Sequence, residues 1–307
     1  MKNLFFIVLS INLLFANSFD YKLKPIKLSD NSYYFYGKEE YFSEKNGGNI
    51  ANTAFIITKN SVILIDTGSS KEYAEQLKEA IKKITNKPIK YVINTHHHPD
   101  HFLGNNAFKD NKIYASKFTQ NEISQNGDLY IMNLVNIVQK AMQGTKMEAP
   151  NVILNTKTID LDGYKLDVLY FDGHTSSDIV LFDRKTNILY TSDLIFNKRA
   201  LATPHANIKK WISSLKKLKK INYSILVPGH GKASKSKEPI KENIAYLEFL
   251  ENSLINGVKN GLDIFEILSK PVPNNIKEFS MFEEEYERSI INLYPKYEQK
   301  YYSISNH

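Results

Sequence analysis

His96, His98, Asp100 and His101 stand within six residues of one another, in the run Thr95-His96-His97-His98-Pro99-Asp100-His101. Imidazole nitrogen and carboxylate oxygen are donors that suit zinc, and iron or manganese accepts the same set. A catalytic metal of this kind takes about three protein ligands and keeps a position open for water. Four candidates in one short run exceed that need, so a second metal is the natural inference. A helix would point His96 and His98 to different sides, whereas a loop after a strand can turn all four toward one place.

Three later residues repeat the pattern. His174 follows Asp172-Gly173, Asp193 follows Tyr190-Thr191-Ser192, and His230 lies in Pro228-Gly229-His230-Gly231. Each is a ligand type just past an apolar run, and the neighbouring glycines let the backbone turn tightly there. Singly, each reads as an ordinary surface or core residue; together and in order they read as a two-metal site. His97 is read as a non-ligand, and His205 and His307 as plain loop and tail histidines. The chain contains no cysteine. No thiolate can ligate a metal, which restricts the site to the all-His/Asp kind, and no disulfide is possible.

The elements that must position these residues follow from periodicity. Residues 32–37, 53–58 and 61–66 are β-prone, the last two around the turn signal Lys59-Asn60. Tyr73, Leu77, Ala80, Ile81 and Ile84 fall on one face of a helix over 71–85, which Pro88 stops. Residues 90–94 form a buried strand that ends at the histidine run, and 112–115 a further strand. Residues 118–148 read as helical with a mobile part. Strands are expected at 156–161, 165–171, 178–183, 188–191 and 223–227. Asn207 caps a helix carrying Ile208, Trp211, Ile212, Leu215 and Leu218 inward, and a long helix opens at Pro239. Strand-rich halves separated by helices predict an α/β fold: two packed sheets with helices outside, a four-layer αβ/βα sandwich. The division expected is a catalytic domain over 19–235 and a helical C-terminal extension over 236–307 packed on it.

Residues 1–18 read as a signal peptide. Lys2 precedes an apolar stretch from Leu4 to Phe15, and Ala16-Asn17-Ser18 places small residues before a cut after Ser18. The stretch is too short for a bilayer span, so a protein exported to a periplasm or beyond, and not membrane-spanning once cleaved, is expected. Net charge is +7. The cations are mostly lysines scattered along the chain without exposed aromatics between them, which reads as solvated surface and not as a nucleic-acid face.

The pattern H-x-H-x-D-H, G-H-T, S-D-L and P-G-H-G resembles the metallo-β-lactamase superfamily over about residues 30–235. The resemblance implies a site on one edge between two sheets. It implies that His96, His98 and His174 hold a first metal, Asp100, His101 and His230 a second, and that Asp193 bridges them. Asp66 in Ile65-Asp66-Thr67-Gly68 matches an aspartate that supports the histidine loop. Asn49-Ile50-Ala51-Asn52, Asn94-Thr95-His96, Pro99-Asp100, Phe282-Glu283-Glu284 and Asn292-Leu293-Tyr294 are similar to the exported quinoprotein relay system (Sox-type) zinc metallohydrolases. The run Thr175-Ser176-Ser177-Asp178 departs from many of these relatives and puts the pocket's shape in question.

The chemistry expected is that of a dinuclear zinc metallohydrolase acting on a small-molecule substrate. Two Zn(2+) ions share a hydroxide that attacks an ester, thioester, lactam or related bond, with water acidified to a pKa of roughly 7. Asp100 is the candidate for holding or moving the proton. A cysteine-free metallo-β-lactamase and a periplasmic metal-binding protein without turnover are the competing readings. Residues 40–52, with Gly47-Gly48, are expected to act as a flap over the cleft, with Asn49 or Asn52 touching substrate.

Overall fold

The structure, a computed structural model, describes residues 19–305. The expected leader, residues 1–18, and His307 lie outside the described residues. Seven strands form one sheet in chain order: β1 (Ile26–Lys27), β2 (Ser32–Phe35), β3 (Thr53–Ile57), β4 (Val62–Ile65), β5 (Ile89–Ile93), β6 (Lys112–Ala115) and β7 (Val152–Ile153). The pairs from β1 to β4 are antiparallel and those from β4 to β7 parallel. β8 (Thr158–Leu161), β9 (Tyr164–Phe171), β10 (Asp178–Asp183), β11 (Ile188–Phe196) and β12 (Ile225–His230) form a second sheet, ordered β12-β11-β10-β9-β8.

Helices cover the outer faces. They are α1 (Lys71–Lys82), the single turn α2 (Pro99–Phe102), α3 (Lys117–Val138), α4 (Ile208–Leu218), α5 (Glu238–Lys259), α6 (Ile264–Leu268), α7 (Asn274–Lys277) and α8 (Phe282–Ser305). The alternation of a strand assigns its side chains to layers. In β4, Val62 and Leu64 join Tyr73, Leu77 and Ile81 of α1 in an outer cluster. Ile63 and Ile65 turn the other way and meet Leu166, Ile179 and Leu181 between the sheets. A strand buried on both faces has no place for a polar residue, which is why β4 reads Val-Ile-Leu-Ile. A third cluster joins Leu189, Leu226, Trp211 and Leu215 to Ile240, Tyr246, Leu250, Tyr286 and Ile290. The helices after His230 therefore share a core with the second sheet. The result is the expected four-layer sandwich with a helical C-terminal extension.

Local signals act as read. Ser70 caps α1 by accepting from the Tyr73 N–H, and Asn207 caps α4 by accepting from the Lys210 N–H. α1 ends at Lys82 and not at residue 85; its final N–H groups return to Glu79 and Ile81, and Ile84 is exposed. Residues 117–138 are one continuous helix. Among the described residues no helix is long and apolar enough to cross a membrane.

Candidate metal centre

The site is assembled from strand ends. β4 and β5 run parallel, with Ile65 beside Ile93, so Asp66 and the loop from Asn94 leave the sheet side by side. His96 and His98 sit in that loop, and Asp100 and His101 in the turn α2. His174 lies between β9 and β10. β11 carries a bulge at Ser192 (φ +44) where its pairing with β12 slips. A bulge re-aims the next side chain, here Asp193. His230 ends β12.

Two glycines set the spacing. Gly173 has φ +146, and a Cβ there would meet Trp211 backbone atoms at 2.3 and 2.6 Å. A Cβ on Gly229 would come within 1.9 Å of Asp193 Oδ1. Neither position leaves room for a larger residue.

The ligand atoms of His96, His98, His174 and Asp193 lie within 4.8 Å of one another, as do those of Asp100, His101 and His230. Asp193 stands between the groups. Its Oδ2 is 3.3 Å from His174 Nε2, 3.2 Å from His230 Nε2 and 3.8 Å from His96 Nε2, and its Oδ1 is 3.0 Å from His101 Nε2. Asp100 Oδ2 is 3.4 Å from His230 Nε2 and 3.7 Å from His101 Nε2. Bonds of about 2.0–2.1 Å in a tetrahedron set ligand atoms roughly 3.3 Å apart, and the spacings above centre on that value.

The hydrogen bonds fix which ring nitrogens face inward. His101 Nδ1 is 2.7 Å from Asp66 Oδ2, and His230 Nδ1 is 2.9 Å from the Ile50 carbonyl. Both partners only accept, so both rings carry a proton on Nδ1 and aim Nε2 at Asp193, where either a second proton or a cation can sit. Lone pairs facing carboxylate oxygens repel unless a cation or a proton lies between them. His96 Nε2, His101 Nε2 and Asp193 Oδ1 are buried without a hydrogen-bonding partner. The two groups of donors fit two cations.

Electrostatics agree. Burial, with crowding by the other imidazoles, holds His96 and His98 well below the usual histidine range. Burial also lowers His174, to about 3, against the pull of Asp193. All three are neutral at pH 7, the form that coordinates a metal. Burial pulls His101 down too, but Asp193, Asp100 and Asp66 outweigh it and raise this ring well above the usual range. Burial opposes the charge on Asp193, yet His230 and His101 hold it well below the carboxylate range.

Asp66 organises the loop. Its Oδ1 accepts from the Thr95 N–H at 2.8 Å and its Oδ2 from the Thr95 hydroxyl at 2.8 Å, besides its contact with His101. Thr95 Oγ1 in turn lies 3.1 Å from His96 Nδ1 and 2.7 Å from Ser192 Oγ. One carboxylate thus orients residues in both groups of donors.

Above the cluster is a cavity of about 250 Å³. Tyr41, Phe42 and Ile50, from the segment 40–52, form part of its wall. The expectation for Asn52 is corrected. Its buried amide accepts from the Gly37 N–H and donates to the Pro228 and Gly231 carbonyls, tying the flap to the His230 loop. Asn49 is also buried and does not line the cavity. His205 is corrected too: it lines the cavity with its Nδ1 2.8 Å from His98 Nε2. His97 is buried, and its ligand atom groups with those of His98 and His205 within 4.8 Å. Sequence reasoning passed over Arg199, Glu285 and Arg288, which also line the cavity.

Comparison with known proteins follows the same lines. A linear primary-alkylsulfatase of Pseudomonas sp. is 21% identical over 282 residues, covering 77% of this chain; the chain spans only 53% of that protein's length. The metallo-beta-lactamase IND-1 of Chryseobacterium indologenes is 28% identical over 190 residues, 59% of this chain and 71% of the enzyme. The solved structure of a metallo-beta-lactamase from Pontibacter korlensis superposes with a TM-score of 0.61 at 23% identity, covering 74% of this chain and 99% of that one. The metallo-beta-lactamase superfamily matches residues 46–230, from the flap to the last histidine of the cluster, and the chain belongs to that superfamily of hydrolases.

Proposed function

We propose that this chain is a dinuclear zinc hydrolase that cleaves a compact ester, thioester, lactam or sulfate ester. The observation that carries the proposal is the placing of Asp193, whose two oxygens face nitrogen donors of both groups at 3.0–3.3 Å. When bound, two zinc ions would activate water as a nucleophile and polarise the substrate oxygen.

The chain's own residues do the rest. Asp66 and Thr95 hold His101 and His96 with their inner nitrogens free of protons. Asp100 faces the cavity 3.4 Å from His230 Nε2; there it is placed to hold the proton that leaves the attacking water. The flap and the partly buried ring of Tyr130 limit water around the substrate. A cavity of about 250 Å³, just under the ~300–1,000 Å³ of sites for drug-sized ligands, suits a compact substrate.

The test is hydrolysis by the zinc-loaded chain over a panel of small esters, thioesters, a chromogenic cephalosporin and alkyl sulfates, repeated after chelation and zinc return. Turnover abolished by chelation and restored by zinc supports the proposal. Two bound zinc ions with no turnover on any class would favour the metal-binding alternative. The similarity to IND-1 favours β-lactam cleavage as the second reading, and the cephalosporin decides it. Export belongs to the proposal as well: it rests on residues 1–18, and a secreted product beginning at Phe19 would support it. The quinoprotein relay system (Sox-type) assignment rests on the short motifs that flank the metal run.

A further inference from the structure

Both ring nitrogens of His98 meet another histidine. Its Nδ1 lies 2.8 Å from His174 Nε2, on the side of the first group of donors, and its Nε2 lies 2.8 Å from His205 Nδ1 on the wall of the cavity. A metal-binding imidazole ordinarily donates its outer N–H to a carboxylate, a carbonyl or water. For His101 the outer partner is Asp66, for His230 the Ile50 carbonyl, and for His96 the Thr95 hydroxyl. His98 takes its outer partner from a different loop, 107 residues along the chain.

That loop is held from two sides. The Asn207 N–H donates to the Gly173 carbonyl at 2.8 Å, which ties it to the turn that presents His174. The Ala206 N–H closes a turn on the Thr203 carbonyl at 2.9 Å. On the other side the Thr203 hydroxyl is bonded to Ser289 Oγ of α8 at 2.7 Å, and Lys296 Nζ of α8 donates to the Pro204 carbonyl at 3.4 Å. α8 lies wholly outside the segment 46–230 that matches the superfamily. The C-terminal extension therefore seats the loop that reaches His98. His205 itself is exposed, so the core does not require its side chain.

The protons follow from the placing. A neutral imidazole has one donor and one acceptor. With Nδ1 of His98 turned to the first metal, its proton sits on Nε2 and points at His205. His205 Nδ1 then accepts, and His205 carries its own proton on Nε2. A ring whose outer end meets only water can rotate and offer either nitrogen to the metal. A ring fixed by an acceptor keeps one orientation, and the acceptor makes its ligand nitrogen more basic.

We propose that His205 is a positioning residue of the metal centre: it accepts the His98 Nε2–H and holds His98 with Nδ1 aimed at the first metal. The C-terminal extension acts on the centre through this contact. The inference rests on the two-metal reading above.

The test uses the full-length protein and compares His205→Asn with His205→Leu. Asparagine places its side-chain oxygen where His205 Nδ1 stands and so keeps an acceptor; leucine occupies similar space and removes it. Zinc affinities come from competition with a chromophoric chelator. In His205→Leu one zinc binds about 10–100-fold more weakly while the other stays within about threefold, and in His205→Asn both stay within about threefold of the parent. Long-range proton–nitrogen NMR of the zinc-loaded protein, labelled at histidine, reads the tautomer directly. The His98 Nε2–H signal persists in the parent and in His205→Asn and is lost to exchange with water in His205→Leu. Affinities within about threefold of the parent in His205→Leu, or equal losses in the two variants, overturn the proposal. So does a third zinc bound by the parent and by neither variant, because His205 would then be a ligand together with His97. Absence of turnover on every substrate class with the affinity pattern intact would sink the hydrolase reading alone and leave the role of His205 standing.

Discussion

Replacing Asp66 by asparagine changes one atom and, on this structure, should unseat one metal. The backbone at Asp66 is left-handed (φ +59), a conformation asparagine tolerates. The amide oxygen can still accept from the Thr95 N–H. The amide nitrogen then replaces Oδ2, which now accepts from the Thr95 hydroxyl and from His101 Nδ1 at 2.7 Å. Two N–H donors cannot face each other there, so His101 must move its proton to Nε2, the atom aimed at Asp193. A proton on Nε2 cannot coexist with a metal bond. The lost bond is charge-assisted and buried, worth about 1.5–3 kcal/mol, which is roughly 10–150-fold in affinity at 1.4 kcal/mol per tenfold. Losses of about 10–100-fold are usual when such supporting partners are removed. Zinc titration against a chromophoric chelator should show one ion weakened by that factor and the other by less, with the fold intact by circular dichroism. Two sites within twofold of the parent affinities would refute the reasoning about the His101 tautomer.

Three further outcomes follow. Gly229→Ala places a methyl group within 1.9 Å of Asp193 Oδ1; the carboxylate must swing away, and both zinc affinities, read by the same titration, should fall at least about tenfold. Asn52→Ala removes three buried hydrogen bonds, and at about 1 kcal/mol each denaturant unfolding should report a loss of about 3 kcal/mol; a loss under about 1 kcal/mol would mean the flap is not anchored there. Asp162 receives hydrogen bonds from the Ser61 and Tyr91 hydroxyls, which hold its carboxyl below the usual range. A depressed carboxylate contributes stability above its unfolded value of about 3.9 that is lost as pH falls through the folded value. Asp162→Asn should therefore lower Tm at pH 7, with the difference shrinking below pH 4; a difference that does not change with pH would contradict the assignment.

The metal run was legible because ligand residues interrupt apolar strands, a contrast visible at His174 and His230 alike. β10 was read at its observed limits, Asp178–Asp183, since an uninterrupted apolar run bounded by polar residues has one natural register. β11 was cut short at residue 191, whereas it runs to Phe196. Ser192-Asp193 looks like a strand end because the bulge breaks the alternation just where Asp193 must turn. His205 was set aside for a different reason: its neighbour His98 is 107 residues away, and no local pattern announces a contact made only when the loop before α4 folds over the cleft. Arg199 and Glu285 were missed similarly. In a helix reading Phe-Glu-Glu-Glu-Tyr-Glu-Arg, one buried glutamate is indistinguishable from its solvated neighbours until the partner 86 residues earlier is in place.

The central claim is that the two groups of donors around Asp193 each hold an ion. Anomalous diffraction from crystals of the zinc-loaded protein, recorded on both sides of the zinc edge, tests it most directly. The account predicts two peaks, one among His96, His98 and His174 and one among Asp100, His101 and His230, each within about 2.2 Å of its ligand atoms. A single peak, or peaks only at His97 and His205, would contradict it.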